Sequence, residues 1–304
     1  MSISRRAFVR DAALLAAALA MPATLDATSL LASADDADRA RLAAWLRTLR
    51  HDGLASVRAP MGRTVARVGE MAVGAPYRAN TLEEYLAAAG ASPLREPLTA
   101  YLTGFDCVTL VESALAIARA SARSRAGWDD FAREVERMRY RGGVRAGYTS
   151  RLHYFSEWIA DNARRGLVRD LGPELGAVED ARPLRFMTTH RSAYRALADD
   201  GVYREIGEME RRLDASPRHL VPTARIASVL DRIRTGDVLA FATSIEGLDC
   251  THTGLAYRDR AGVMRVLHAP LSGGVVQISR GTLPQYVAGL RTPTGILVAR
   301  PLRG

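Results

Sequence analysis

Cysteine and histidine are the residues of this chain whose types and spacing can do covalent chemistry. Cys107 directly follows Asp106 and opens an apolar run to Ala122, with Val108, Val111, Leu115 and Ala118 on one stripe. Asp106 is a good helix N-cap, so the spacing predicts a helix whose first turn carries the thiol. Free N–H groups and the positive end of the helix dipole favour a thiolate there, and the same N–H groups could hold an oxyanion. A cysteine at a helix start is also a common packing residue, so its neighbours must decide. His252 opens a predicted strand in Asp249-Cys-Thr-His-Thr-Gly254, and His268 ends the next one. A hairpin turn at Asp259-Arg-Ala-Gly262 lays those strands side by side. One imidazole beside a thiol is a base, and a second behind it orients the first. Cys107, His252 and His268 are therefore the candidate catalytic residues.

The elements that must position them divide the chain in two. Up to about residue 225 the pattern is mostly helical, with Leu42, Trp45, Leu46 and Leu49 at helical spacing. Thr81-Leu-Glu-Glu84 reads as a capping box ended at Gly90, and 128–140, 150–163 and 223–234 read as further helices. After Gly236 the period changes to two, and strands are expected at 238–242, 254–257, 263–267, 275–278 and 296–299. Helices followed by a short antiparallel sheet make the expected class α+β. The 304 residues are 48% hydrophobic and 25% charged, enough to build a sizeable core. All 42 basic residues are arginine, which excludes a lysine base, a lysine Schiff base and a P-loop lysine. The net charge of +9 is scattered among acidic residues with only 6% aromatics, so no nucleic-acid partner is expected.

Ser4-Arg-Arg-Ala-Phe-Val-Arg10 precedes a short apolar stretch, Ala12 to Ala20, and resembles a twin-arginine export signal. Ala32-Ser-Ala34 suits a signal peptidase, which gives a signal peptide over 1–34 and one α+β domain over 35–304. The expected location is the periplasm or cell envelope, with no stable membrane insertion, since the apolar run is too short to span. In such an oxidising place Cys107 and Cys250 could form a structural disulfide instead. A zinc site on Cys107, Cys250, His252 and His268 is another reading, although no His-Glu-x-x-His or close cysteine pair supports it.

Several segments, in order, resemble the NlpC-type cysteine peptidases, a papain-like family that cuts cell-wall peptides. They are Gly74-Ala-Pro-Tyr77, Phe105-Asp-Cys107, Gly236-Asp-Val-Leu-Ala-Phe241, His252-Thr-Gly254 and His268-Ala269. The resemblance implies Cys107 as nucleophile, His252 as general base, His268 as its orienting partner and Tyr77 near the oxyanion site, with no metal or organic cofactor. The family's Ser-Gly after the cysteine is Val108-Thr109 here, and about 125–225 is an insertion. Phe105–Glu112 and Tyr148–Trp158 are similar to the N-acetylmuramoyl-L-alanine amidase-like branch. That branch implies a peptidoglycan or muropeptide substrate cut between the lactyl group and L-Ala. A D-glutamyl endopeptidase, a papain-like acyltransferase and a non-catalytic wall-binding module are the alternatives. In the insertion, Arg151, Tyr154 and Trp158 share a helical spacing, with His153, His190 and Arg191 nearby in sequence. They read either as a wall of the substrate cleft, with Arg151 or Arg191 pairing a carboxylate, or as a packed aromatic helix. Glu112 has no role assigned by sequence.

Overall fold

A computed structural model describes the backbone of residues 27–303 and the side chains from Asp36 onward. The N-terminal helices are α1 (Ala27–His51), α2 (Met61–Ala72), α3 (Cys107–Ala120), α4 (Trp128–Arg139) and α5 (Phe155–Arg164). Then come β1 (Val168–Asp170), β2 (Val178–Asp180), α6 (Asp200–Asp214) and β3 (Arg218–Pro222). The last part carries β4 (Val238–Thr243), β5 (Cys250–Arg258), β6 (Met264–His268), β7 (Gln277–Ile278), α7 (Leu283–Ala288) and β8 (Pro293–Pro301). The strands form one sheet in the order β2-β3-β8-β4-β5-β6-β7, with β1 also against β8 and every pairing antiparallel. The class is α+β. Most of the expected signal segment lies outside the described residues, and its cut point after Ala34 falls within α1. No helix among the described residues is long and apolar enough to cross a membrane.

Helix α3 is the centre of the molecule. Every residue from Thr109 to Ala120 is buried, because the helix is apolar nearly all round and packs against α2, α4 and β5. Its two buried charges are matched. The Arg119 guanidinium donates to the carbonyls of Leu302 and Leu167. The Glu112 carboxylate accepts from Arg139 Nε on α4 at 2.7 Å and from Trp158 Nε1 on α5 at 3.3 Å. Three helices are thus tied by one carboxylate, which is the role sequence left open. Strand β4 alternates by the period of two: Val238 and Ala240 face the α1–α5 layer, while Leu239 and Phe241 face the layer holding α7.

Several sequence expectations are corrected. The stretch 125–225 is mostly helical, and it also carries strands β1, β2 and β3, which extend the sheet beyond β8 and were not expected there. These strands are three to five residues long, too short for a period-two signal to stand out. The expected helix at 150–163 starts only at Phe155, so Arg151 lies before it and Tyr154 is its N-cap. The stretch at 223–234 is a 3₁₀ helix over Thr223–Val229. No capping box forms at Thr81, and a single 3₁₀ turn runs from Glu84 to Ala87. Glu84 instead bonds Arg78 and Tyr101.

Glu112 and Arg139 are 1% and 2% exposed, so removing either partner strands a buried charge. Glu112→Ala is expected to destabilise the chain by about 3–5 kcal/mol. Glu112→Leu combined with Arg139→Met should be less harmful than either single change. Denaturant unfolding checks this, and additive losses would contradict it.

Candidate active site

Asp106 caps α3 by accepting from the Thr109 N–H at 2.7 Å, while Thr109 Oγ1 accepts from the Asp106 N–H at 2.9 Å. This reciprocal capping box fixes Cys107 as the first helical residue. The residues before it are also held. The Phe105 N–H donates to the Pro76 carbonyl and the Arg78 N–H to the Phe105 carbonyl, so Tyr77 bridges Phe105. Phe105 stacks on Trp45 of α1 at 6.5 Å, and the Asp38 carboxylate accepts from the Leu102 N–H at 2.8 Å. Helix α1 therefore braces the approach to the cysteine.

The two histidines meet across the β5–β6 hairpin. Leu255 pairs with Leu267, which puts Gly254 opposite His268. A Cβ at Gly254 would come 3.0 Å from His268 Cβ and 3.0 Å from the Leu267 carbonyl oxygen. Glycine in His252-Thr-Gly254 thus clears the space that lets the second imidazole lean toward the first. His252 Nε2 and His268 Nδ1 are 2.8 Å apart. The His252 ring stacks on Phe241 of β4, its cross-strand partner, at 5.8 Å. Tyr286 of α7 closes the group, with its hydroxyl 3.3 Å from His268 Nδ1 and its ring edge-on to His268. His268 is 2% exposed and its Nε2 has no partner.

Cys107 is half-buried, and its sulfur lies within reach of the N–H of Thr253, the residue after His252. Tyr77 and Tyr286 both lie near enough that a thiolate at Cys107 would oppose ionisation of their hydroxyls. The structure therefore gathers Cys107, His252, His268 and Tyr77, and adds Tyr286, which sequence reasoning missed. The signal for Tyr286 was Thr282-Leu-Pro-Gln285, a capping box with proline in the first turn that starts α7.

The electrostatics differ from expectation. Burial, reinforced by the Asp106 carboxylate, pushes the Cys107 thiol up to about 12, against the opposing pull of the Thr253, Val108 and Cys107 amides. Desolvation outweighs the helix start, so no resting thiolate is favoured. Burial also lowers His252 to about 3, with the neighbouring His268 adding to it, and lowers His268 to about 4. The resting group is a neutral thiol beside neutral imidazoles.

The other sequence candidates are packed elsewhere. Arg151 is buried between Glu83 and Glu96, at 3.1 and 3.2 Å, and lies over the Tyr148 ring. The Tyr154 hydroxyl donates to buried Glu210 at 2.6 Å. Trp158 is 1% exposed and tied to Glu112. These three belong to the core and give a substrate no surface. His190 stacks on Phe186 at 4.1 Å, and Arg191 pairs with Asp200 and lies over Tyr203. His153 is bound to the Tyr148 carbonyl at 2.9 Å. Cys107 and Cys250 are both free thiols, so the disulfide reading fails. Cys250 lies instead among Asp249, Asp180, Arg182 and Arg218. Among the described residues no group of three or more His, Cys, Asp or Glu is spaced to hold a metal ion. Gly236-Asp237 acts in the frame: a Cβ at Gly236 would meet the Gly62 carbonyl oxygen at 2.0 Å, and Asp237 pairs with Arg300 at 2.7 Å.

The lowered imidazoles have a consequence for stability. His268 has a folded value of about 4 against an ordinary imidazole's 6.5, so between these the unfolded chain binds the extra proton. Its contribution to stability is complete above the upper value and is lost as pH falls toward the lower one. At pH 5, His268→Gln should reduce the proton uptake on unfolding by about one. Calorimetric unfolding in buffers of different ionisation heat measures this, and an unchanged uptake would contradict a neutral, buried His268.

Relatives fit the geometry. Residues 67–295 match the family described as AmiA-like, N-acetylmuramoyl-L-alanine amidase-like. A structure of an N-acetylmuramoyl-L-alanine amidase from Bacteroides uniformis ATCC 8492 is 30% identical, with a TM-score of 0.73 over 80% of this chain and 99% of that one. A putative xylanase from Bacteroides fragilis is 33% identical, with a TM-score of 0.69 over 77% and 99%. A protein from Legionella pneumophila at 20% identity and a TM-score of 0.65, over 89% and 96%, shares the fold. No curated protein matches the chain. With three-quarters of its length inside that match, the chain belongs to the N-acetylmuramoyl-L-alanine amidase-like family.

Proposed function

We propose that this chain is an exported, papain-like cysteine amidase that hydrolyses an amide bond of peptidoglycan or muropeptides, between the lactyl group and L-Ala. The observation that carries this reading is the His252–His268 pair, 2.8 Å apart, beside a cysteine at a capped helix start. Cys107 is the nucleophile. As its sulfur attacks the amide carbonyl, the thiol proton passes to His252 Nδ1, while His252 Nε2–H donates to His268 Nδ1. Neutral partners suit this order, because charge separates only in the transition state. The oxyanion is held by helix-start N–H groups, with the Tyr77 hydroxyl as a further donor. The imidazolium then protonates the leaving amine, the C–N bond breaks, and a thioester remains. Water, deprotonated by His252, attacks the thioester; the C–S bond breaks to release the lactyl carboxylate, and the His252 imidazolium returns its proton to sulfur to restore the thiol. His268 is a positioning residue that fixes the tautomer of His252.

Cys107→Ala and His252→Ala are each expected to lower turnover about a thousandfold or more, and together no further, since the two act as a unit. His268→Ala should be milder, and Cys250→Ser should keep most activity. Mass spectrometry of digested muropeptides reads the bond: a peptide-free sugar and a stem with a free L-Ala amine are expected. A muramyl dipeptide with a free diamino-acid end would identify a D-glutamyl endopeptidase instead, and transfer of the acyl group to an added amine in place of water an acyltransferase. Full activity of Cys107→Ala would refute the whole reading.

Export rests on Arg5-Arg6 and the apolar run behind them. Arg5→Lys with Arg6→Lys should leave uncleaved protein in the cytoplasm. Unchanged periplasmic yield in a cell fractionation would overturn it.

A further inference from the structure

We propose that Arg78, the residue after Tyr77, forms a binding site for a free carboxylate of the stem peptide. This rests on the amidase reading above. The stem of peptidoglycan carries free carboxylates on its second and third residues, just beyond the bond cut in that reading. In a chain without lysine, arginine is the permanently cationic side chain that can meet them. The two arginines that sequence marked for this task are engaged elsewhere: Arg151 with Glu83 and Glu96, Arg191 with Asp200 and the Leu197 carbonyl.

Arg78 is placed differently. It follows Tyr77 in the chain, and its N–H is bonded at 2.9 Å to the carbonyl of Phe105, two residues before Cys107. Its stem crosses Gly104 so closely that a Cβ there would lie 2.5 Å from Arg78 Cδ and 2.7 Å from Cγ. Gly104 thus leaves a channel that any side chain would fill. Beyond it the guanidinium carbon sits 4.3 Å from the centre of the Tyr101 ring. Arg78 Nη2 reaches Glu84 at 3.3 Å, and the Tyr101 hydroxyl reaches the other Glu84 oxygen at 3.3 Å. Stacking and this triangle hold the guanidinium plane before any ligand arrives, which lowers the entropy cost of binding.

The ion pair does not exhaust the group. Arg78 and Glu84 are 35% and 45% exposed, so the guanidinium stays partly open to solvent. A guanidinium offers five N–H donors in a fork that matches a carboxylate, and the hydrogen bond to Glu84 takes one of them. The arrangement is that of a partly open cation stacked on Tyr101, on a backbone tied to the segment that leads into Cys107.

Binding tests this apart from turnover. The full-length Cys107→Ala chain would be titrated calorimetrically with an N-acetylmuramyl tripeptide whose carboxylates are free, and with the same ligand fully amidated. The free acid should bind at least about tenfold more tightly, the effect of one charge-assisted contact. Adding Arg78→Gln should bring the two affinities together. Gly104→Ala, which pushes the Arg78 stem aside, should reduce the preference in part, and Arg78→Lys should restore some of it. No preference in the Cys107→Ala chain, or a preference that survives Arg78→Gln, overturns the site. A purely structural Arg78 would weaken both ligands equally. Cleavage by the native chain is a separate readout: its failure on both ligands would refute the amidase reading and leave the binding comparison intact.

Discussion

The constraint on which the site depends is a hydrogen bond between two neutral imidazoles in a nearly dry place. His268 is 2% exposed and lies 2.8 Å from His252. A bond of this kind fixes which nitrogen of His252 is free, but only if both rings are held. The fold supplies that hold from three sides. Phe241 stacks on His252, Tyr286 meets His268 edge-on, and Gly254 lets the second strand come close. The antiparallel hairpin sets the register, so the sheet is the device that makes a pair out of residues sixteen positions apart.

The cysteine illustrates a competition between a helix end and its surroundings. The first turn of α3 offers N–H groups and a favourable dipole, and the Thr253 N–H adds a donor. The same helix is buried from Thr109 to Ala120, and its capping carboxylate on Asp106 sits beside the thiol. Desolvation and like charge win. The element that positions the sulfur thus also favours its protonated form at rest, which makes the thiol less open to oxidation.

Much of this was legible in sequence. The Asp106 cap, the Asp259–Gly262 turn and the strands around His252 and His268 depend on local signals, and they stand as expected. The insertion was read less well, for physical reasons. Arg151, Tyr154 and Trp158 look like a helical stripe facing a cleft, but their partners Glu83, Glu96, Glu112 and Glu210 lie 46 to 68 positions away and carry no local mark. Sequence spacing cannot show that a buried arginine meets two carboxylates. The short strands β1 to β3 are set by the edge of β8, a non-local partner. The thiol was misjudged because burial is a property of the whole fold and the helix dipole is not. Tyr286 was missed because its role comes from a contact with His268 across eighteen residues.

Gly254 also bears on how such a chain can drift over generations. Its backbone is ordinary for a strand, and the position is closed to larger residues only by the neighbouring strand. A single change there can part the two histidines while the cores on both faces of the sheet stay filled. Loss of chemistry is therefore a much shorter mutational step than loss of architecture, and lineages of this fold have an easy route to becoming silent copies that keep their shape.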